Sequence, residues 1–181
     1  MKLRNLMMAA VTLAVFTAGS AFAQVNSGQI TDVALNATLN ESLTVTLDQP
    51  TIDFSLVAGS STNAGSTAVN AGVSWILETG RTSVKLYAYF TSATSALNNG
   101  SNLIPSSAVS ATLNGTGAGA FTGATPFGGN TGITVSTTAI TTNLVSSTST
   151  SVALNIDLSS LTTLPAGTYT GTLHFQAQAT T

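Results

Sequence analysis

The chain has 181 residues, a net charge of −2, no Cys and one His, and only 6% of it is Asp, Glu, Lys or Arg, against about 25% in an ordinary soluble domain. Two of its four basic residues are Lys2 and Arg4, so a basic face for nucleic acid or an anionic membrane has nothing to be made of. Without Cys, a thiolate zinc site, a disulfide framework, a Cys nucleophile and a lipid anchor on Cys are all excluded.

Met1 to Arg4 form a basic start, Leu6 to Phe16 an apolar run broken only by Thr12, and Ala21-Phe22-Ala23 a small-x-small triplet. This is the layout of a secretory signal peptide. The apolar run has about eleven residues where a membrane span needs about 20, so residues 1–23 are read as a leader. The mature chain is expected to begin at Gln24, with no membrane span. It carries Arg81 and Lys85 against six acids, and export places it in the periplasm in transit and then outside the cell or on its surface.

Period-two alternation of apolar residues, the signature of a half-buried strand, then recurs along the chain. Val33, Leu35, Ala37 and Leu39 share a phase with Leu43, Val45 and Leu47, and Glu41 interrupts them. Two strands are expected, about 30–40 and 42–48. Thr51 to Val57 reads as a third, with Pro50 at its entrance. Val73, Trp75 and Leu77 alternate with polar neighbours, and Val84 to Phe90 follow after Thr79-Gly80-Arg81. This pair predicts a hairpin, with Arg81 meeting Glu78 across the turn. Ser106–Leu113, Ile133–Ile140, Ser151–Leu158 and Tyr169–Ala179 are further strands. Asn98 to Gly100, Asn114 to Gly119 and Gly128 to Asn130 punctuate as turns, and the stretch 115–132 is expected to be the most mobile. Eight or nine short strands without helices predict an all-β chain folded as an immunoglobulin-like Greek-key β-sandwich. The domain is read over 41–181, with residues 24–40 as an extended N-terminal segment.

Leu164-Pro165-Ala166-Gly167-Thr168-Tyr169 is the most specific segment. A Tyr just after the E–F corner of a Greek-key sandwich hydrogen-bonds back to upstream backbone, which makes Tyr169 a tyrosine corner and residues 169–179 strand F. The sequence then stops at Thr181, leaving no residues for a strand G. A sandwich lacking its last strand exposes a groove and an unpaired edge. Val33, Leu35, Ala37 and Leu39 make a candidate donor strand, filling the groove of another copy. Pairing of 30–40 inside its own sheet is the alternative.

The ending Leu164-Pro-Ala-Gly-Thr-Tyr169-Thr-Gly-Thr-Leu-His-Phe175 resembles the C-terminal strand of chaperone–usher pilins and of spore-coat-U-type secreted proteins. The resemblance implies an incomplete immunoglobulin-like subunit that folds with a periplasmic chaperone, meets an usher, and polymerises with copies of itself or related subunits.

An enzyme is not expected. The carboxylates Asp32, Glu41, Asp48, Asp53, Glu78 and Asp157 show no paired spacing, and no nucleophile elbow, zinc motif or phosphate loop occurs. No cofactor or metal is expected, and His174, between Leu173 and Phe175, is read as facing solvent. Trp75 is read as core, whereas Tyr87 and Tyr89 share a face with Lys85 and are candidates for a ligand or subunit contact. The function expected is a structural, pilin-like or surface-coat subunit. The alternative is a self-contained adhesion module that stacks a sugar on Tyr87 and Tyr89.

Overall fold

The computed structural model describes residues 33–126 and 132–181, so the leader read over 1–23 lies outside the described residues, as do residues 24–32. Alternating Val, Leu, Ala and aromatic residues build eleven strands, and no α-helix occurs among the described residues. They are β1 (Ser42–Leu47), β2 (Asn63–Ala64), β3 (Val69–Ile76), β4 (Ser83–Tyr89), β5 (Leu97–Asn99), β6 (Asn102–Ile104), β7 (Val109–Leu113), β8 (Thr116–Ala120), β9 (Ile133–Ala139), β10 (Val145–Ile156) and β11 (His174–Thr180). All pairings are antiparallel. One sheet has the order β1-β3-β10-β7-β8 with β2 added along β10, the other the order β11-β4-β9, and β5 and β6 form a separate hairpin.

The sheets pack as a sandwich because each turns one apolar row inward. Ala71, Val73, Trp75, Val109, Val152, Leu154 and Ile156 from the larger sheet meet Val84, Leu86, Ala88, Ile133 and Val135 from the smaller. Trp75 is buried, and its indole N–H donates to the Asn143 carbonyl at 3.0 Å. Removing such apolar area from water, at about 25 cal/mol per Å², is the main stabilising term for a chain without disulfides.

Several expected elements change partner. The hairpin expected from Val73–Leu77 and Val84–Phe90 does not form, since β3 and β4 lie in different sheets. Both edges of β3 are taken, by β1 and β10, so the chain crosses over through residues 77–82. Thr51–Val57 keeps its alternation, with Ile52, Phe54 and Leu56 half-buried, yet makes only the isolated bridge Phe54–Gly65. Residues 33–40, expected as a strand, carry no strand assignment. β10 begins six residues earlier than expected, and β11 begins at His174 rather than at Tyr169.

Part of the stretch expected to be mobile is ordered structure. Asn114 and Gly115 both take positive φ, 49° and 81°, in the two-residue turn that joins β7 to β8. Asn-Gly is the pair that such a turn favours. Just beyond, Phe121 is fully buried, its ring edge-on to Phe90 with centroids 5.0 Å apart. Residues 127–131 lie outside the described residues.

Candidate functional site

On one side of the sandwich two edge strands, β1 and β11, lie against each other without a ladder between them. β11 bonds to β4 along one edge, and β1 bonds to β3 along one edge. Neither has a ladder on its other edge among the described residues. The inward residues on this side are accordingly only half covered. Phe175, Ala177 and Ala179 of β11, Val45 of β1, and Ile52, Phe54 and Leu56 are all partly buried, while Val84, Leu86 and Ala88 next door are fully buried. Leu43 and Leu47 of β1 are exposed.

The gap widens at one end into a groove of about 630 Å³. Ile52, Phe54 and Leu56 form one wall, and residues 167–173 with Phe175 form the other. Phe90, Val109, Leu154 and Ile156 of the core make the floor. The first wall is anchored by Asn63, a buried polar residue that the sequence reading missed. Its Oδ1 accepts from the Val57 N–H at 2.7 Å, and its Nδ2 donates to the carbonyls of Ser60 and Ile156 at 3.1 and 2.9 Å. The second wall is held by two reciprocal backbone bonds between Asn98 and Thr170, 2.8 and 2.9 Å long. Tyr169 stands in this wall, and its hydroxyl donates to the Pro165 carbonyl at 3.0 Å, closing the Pro165–Gly167 corner. Gly167 takes φ 157° at that corner.

At the opposite end of the sandwich the chain enters β1. Ser42 pairs with Ile76 and Leu47 with Ala71, so β1 runs from the 77–82 crossover to the groove, a path of roughly 20 Å for six residues. Glu41 is bound to the crossover by three bonds. Its Oε1 accepts from the Glu78 N–H at 2.8 Å and from Arg81 Nε at 2.9 Å, and its Oε2 accepts from Arg81 Nη2. Arg81 therefore pairs with Glu41 and not, as expected, with Glu78. The crossover, 40 residues along the chain, offers Glu41 both a guanidinium fork and a backbone donor.

The Arg81 fork, helped by the Glu78 N–H, holds the Glu41 carboxyl down at about 2, from an ordinary 4.5. Asp48 is lowered by the backbone and side-chain N–H groups of Asn70, and Asp157 by Ser159. A carboxylate depressed in the folded state stabilises it fully above the unfolded pKa and loses that contribution as pH falls through the folded one. The melting temperature is thus expected to fall between pH 4.5 and about 2, and Glu41→Gln to shrink that fall, as read by thermal melts across the range.

The aromatic candidates fare differently. Tyr87 is 8% exposed and Tyr89 half-buried. The Tyr89 ring stacks on His174 with centroids 5.4 Å apart, and its hydroxyl reaches Gln176 Oε1 at 3.4 Å. Tyr87 and Tyr89 thus do not present two open ring faces to a sugar. His174 is half-buried against Tyr89, where solvent exposure was expected. Among the described residues no group of three or more His, Asp or Glu could hold a metal, and no helix is long and apolar enough to cross a membrane. Val33, Leu35 and Leu39 are 79%, 90% and 75% exposed, and Ala37 is exposed as well.

The fold and the site together define an all-β sandwich of two antiparallel sheets with a groove of mixed apolar and polar lining at one end. No protein-family model matches the chain, and no curated protein matches it.

Proposed function

We propose that the protein is an exported structural subunit, pilin-like or of a surface coat, and that it assembles by donor-strand exchange. In this reading Val33, Leu35, Ala37 and Leu39 of one copy enter the groove of the next. The observation that carries it is the row of half-covered apolar residues Ile52, Phe54, Leu56 and Phe175 at the groove, beside the edges of β1 and β11 that carry no ladder. An added strand would supply backbone partners to a free edge and side chains to the pockets beneath it. Four apolar residues at every second position, all exposed, are the matching half.

The strand order supports an immunoglobulin-like frame. β1, β3, β10 and β7 stand in the order A-B-E-D, and β11 beside β4 in the order F-C, with the place of G open next to β11. The Tyr169–Pro165 bond is the contact that a tyrosine corner makes. Exchange handed on from copy to copy is a heterologous contact, which builds filaments where its rotation does not close. A periplasmic chaperone and an usher are the partners that this assembly requires, since an open apolar groove is an aggregation hazard before it is filled.

The test uses the chain from Gln24 onward and a synthetic peptide spanning residues 30–41. Refolded monomer is expected to capture the peptide and gain thermal stability, and concentrated protein to form multimers that resist SDS. A monomer that stays monomeric at every concentration and ignores the peptide would overturn the proposal.

A further inference from the structure

Two Asn-Gly pairs stand in described hairpin turns, Asn99-Gly100 and Asn114-Gly115. An Asn before Gly can lose its side-chain amide without an enzyme, because Gly has no side chain to shield its backbone nitrogen. That nitrogen bonds to the Asn Cγ, the Cγ–Nδ2 bond breaks, and ammonia leaves with the proton of the backbone N–H. Water then opens the cyclic imide to Asp, or to isoaspartate, whose main chain runs through the side-chain carbons.

The fold treats the two pairs differently. The Asn114 N–H donates to the Ser151 carbonyl at 2.9 Å, and its Oδ1 accepts from the Ser151 N–H at 2.9 Å. These bonds tie the Asn114 carboxamide to β10, and turning it towards the Gly115 nitrogen gives one of them up. Asn99 is the last residue of β5, and Gly100, with φ 63°, is the first of the two turn residues that lead to β6. Gly in that place is what a type II′ hairpin turn favours. Gly100 is exposed, and nothing lies within 4 Å of its Cβ position. Among the described residues neither its N–H nor the Asn99 carboxamide has a hydrogen-bond partner.

The Asn99 side chain instead rests on the Pro165–Gly167 corner, its Nδ2 2.1 Å from where a Cβ on Gly167 would stand. We infer that Asn99 is a site of spontaneous deamidation, and that its reaction loosens the groove wall formed by residues 167–173. The product sets a half-buried carboxylate against the corner, where an unpaired charge is costly. Isoaspartate also lengthens the main chain next to Asn98, whose two bonds to Thr170 hold that wall. The inference stands whatever fills the groove.

The chain from Gln24 onward is refolded and aged in mildly alkaline buffer, and conversion at each pair is followed by peptide mass spectrometry. Anion exchange isolates the aged form, since an added carboxylate counts in a chain with only 6% charged residues. Asn99 is expected to react several-fold faster than Asn114 in the folded protein. The two rates are expected to converge in denaturant, where Ser151 no longer holds Asn114. The aged form is expected to melt below fresh protein, with Asn99→Asp in between. Asn99→Gln, whose longer side chain closes the ring far more slowly, is expected to age without that loss. Asn114 reacting as fast as Asn99 in the folded protein would overturn the inference. So would aged protein that melts like fresh, or an Asn99→Gln protein that loses stability on ageing as wild type does.

Discussion

Gly171→Ala is expected to destabilise the domain by about 3 kcal/mol and to abolish peptide capture by the groove. Gly171 sits in the wall formed by residues 167–173, where the chain passes close against the β5–β6 hairpin. A Cβ at this position would lie 1.9 Å from the Ala96 carbonyl oxygen, 2.9 Å from its carbon and 3.1 Å from the Leu97 Cα. All three obstacles are backbone, so no side-chain rotation relieves the clash. The wall must move away from the hairpin, which breaks the paired bonds between Asn98 and Thr170. Denaturant melts followed by Trp75 fluorescence read the stability, and peptide titration reads the groove. Gly117→Ala is the control, because nothing lies within 4 Å of its Cβ position. It should change stability by no more than about 0.5 kcal/mol. A Gly171→Ala protein as stable as that control would show that the wall can yield without cost.

Phe121→Ala is expected to cost about 4 kcal/mol, the range of a fully buried aromatic cut back to a methyl. The ring has no solvent exposure and meets Phe90 edge-on, an arrangement that aromatic quadrupoles favour. Phe90 in turn forms part of the groove floor. The truncation therefore leaves a cavity behind the floor as well as losing buried area, and the groove should bind the 30–41 peptide more weakly. A fall in denaturant midpoint at unchanged slope would identify this as lost stability rather than a looser native state. Phe121→Leu fills most of the space and should cost less than about 1.5 kcal/mol. Equal effects of the two substitutions would mean that refilling the volume recovers nothing and that the ring's shape and edge contact carry the energy.

Much of the architecture was legible because strand alternation is a local property. Val84, Leu86 and Ala88 declare a buried face whatever strand lies beside them, and the Asn114-Gly115 turn is specified by its own two residues. Pairing is not local, and there the sequence misled. Val73–Leu77 and Val84–Phe90 look like the arms of a hairpin, yet the edges of β3 go to β1 and β10. Thr51–Val57 alternates like a strand, and its side chains do turn towards the core, but no ladder forms beside it. Of the groove, the Pro165–Tyr169 corner could be seen in advance. Asn63 could not, because its partners Val57, Ser60 and Ile156 lie up to 93 residues away and an Asn in a Ser- and Thr-rich loop looks like surface.

The sequence by itself determined that this is an all-β chain with very few charges, no disulfides and a row of four apolar residues ahead of Glu41. Those properties follow from composition and period, which need no partner to be read. Only the tertiary structure decided which edges stay open, that the groove lies at the far end of β1 from Glu41, and that Glu41 belongs to Arg81 rather than Glu78 to Arg81. The physical reason is that an edge, a groove and a salt bridge are relations between segments far apart in the chain. They are settled when the two sheets bury their apolar faces against each other, and a change of one strand's sheet rearranges all of them at once.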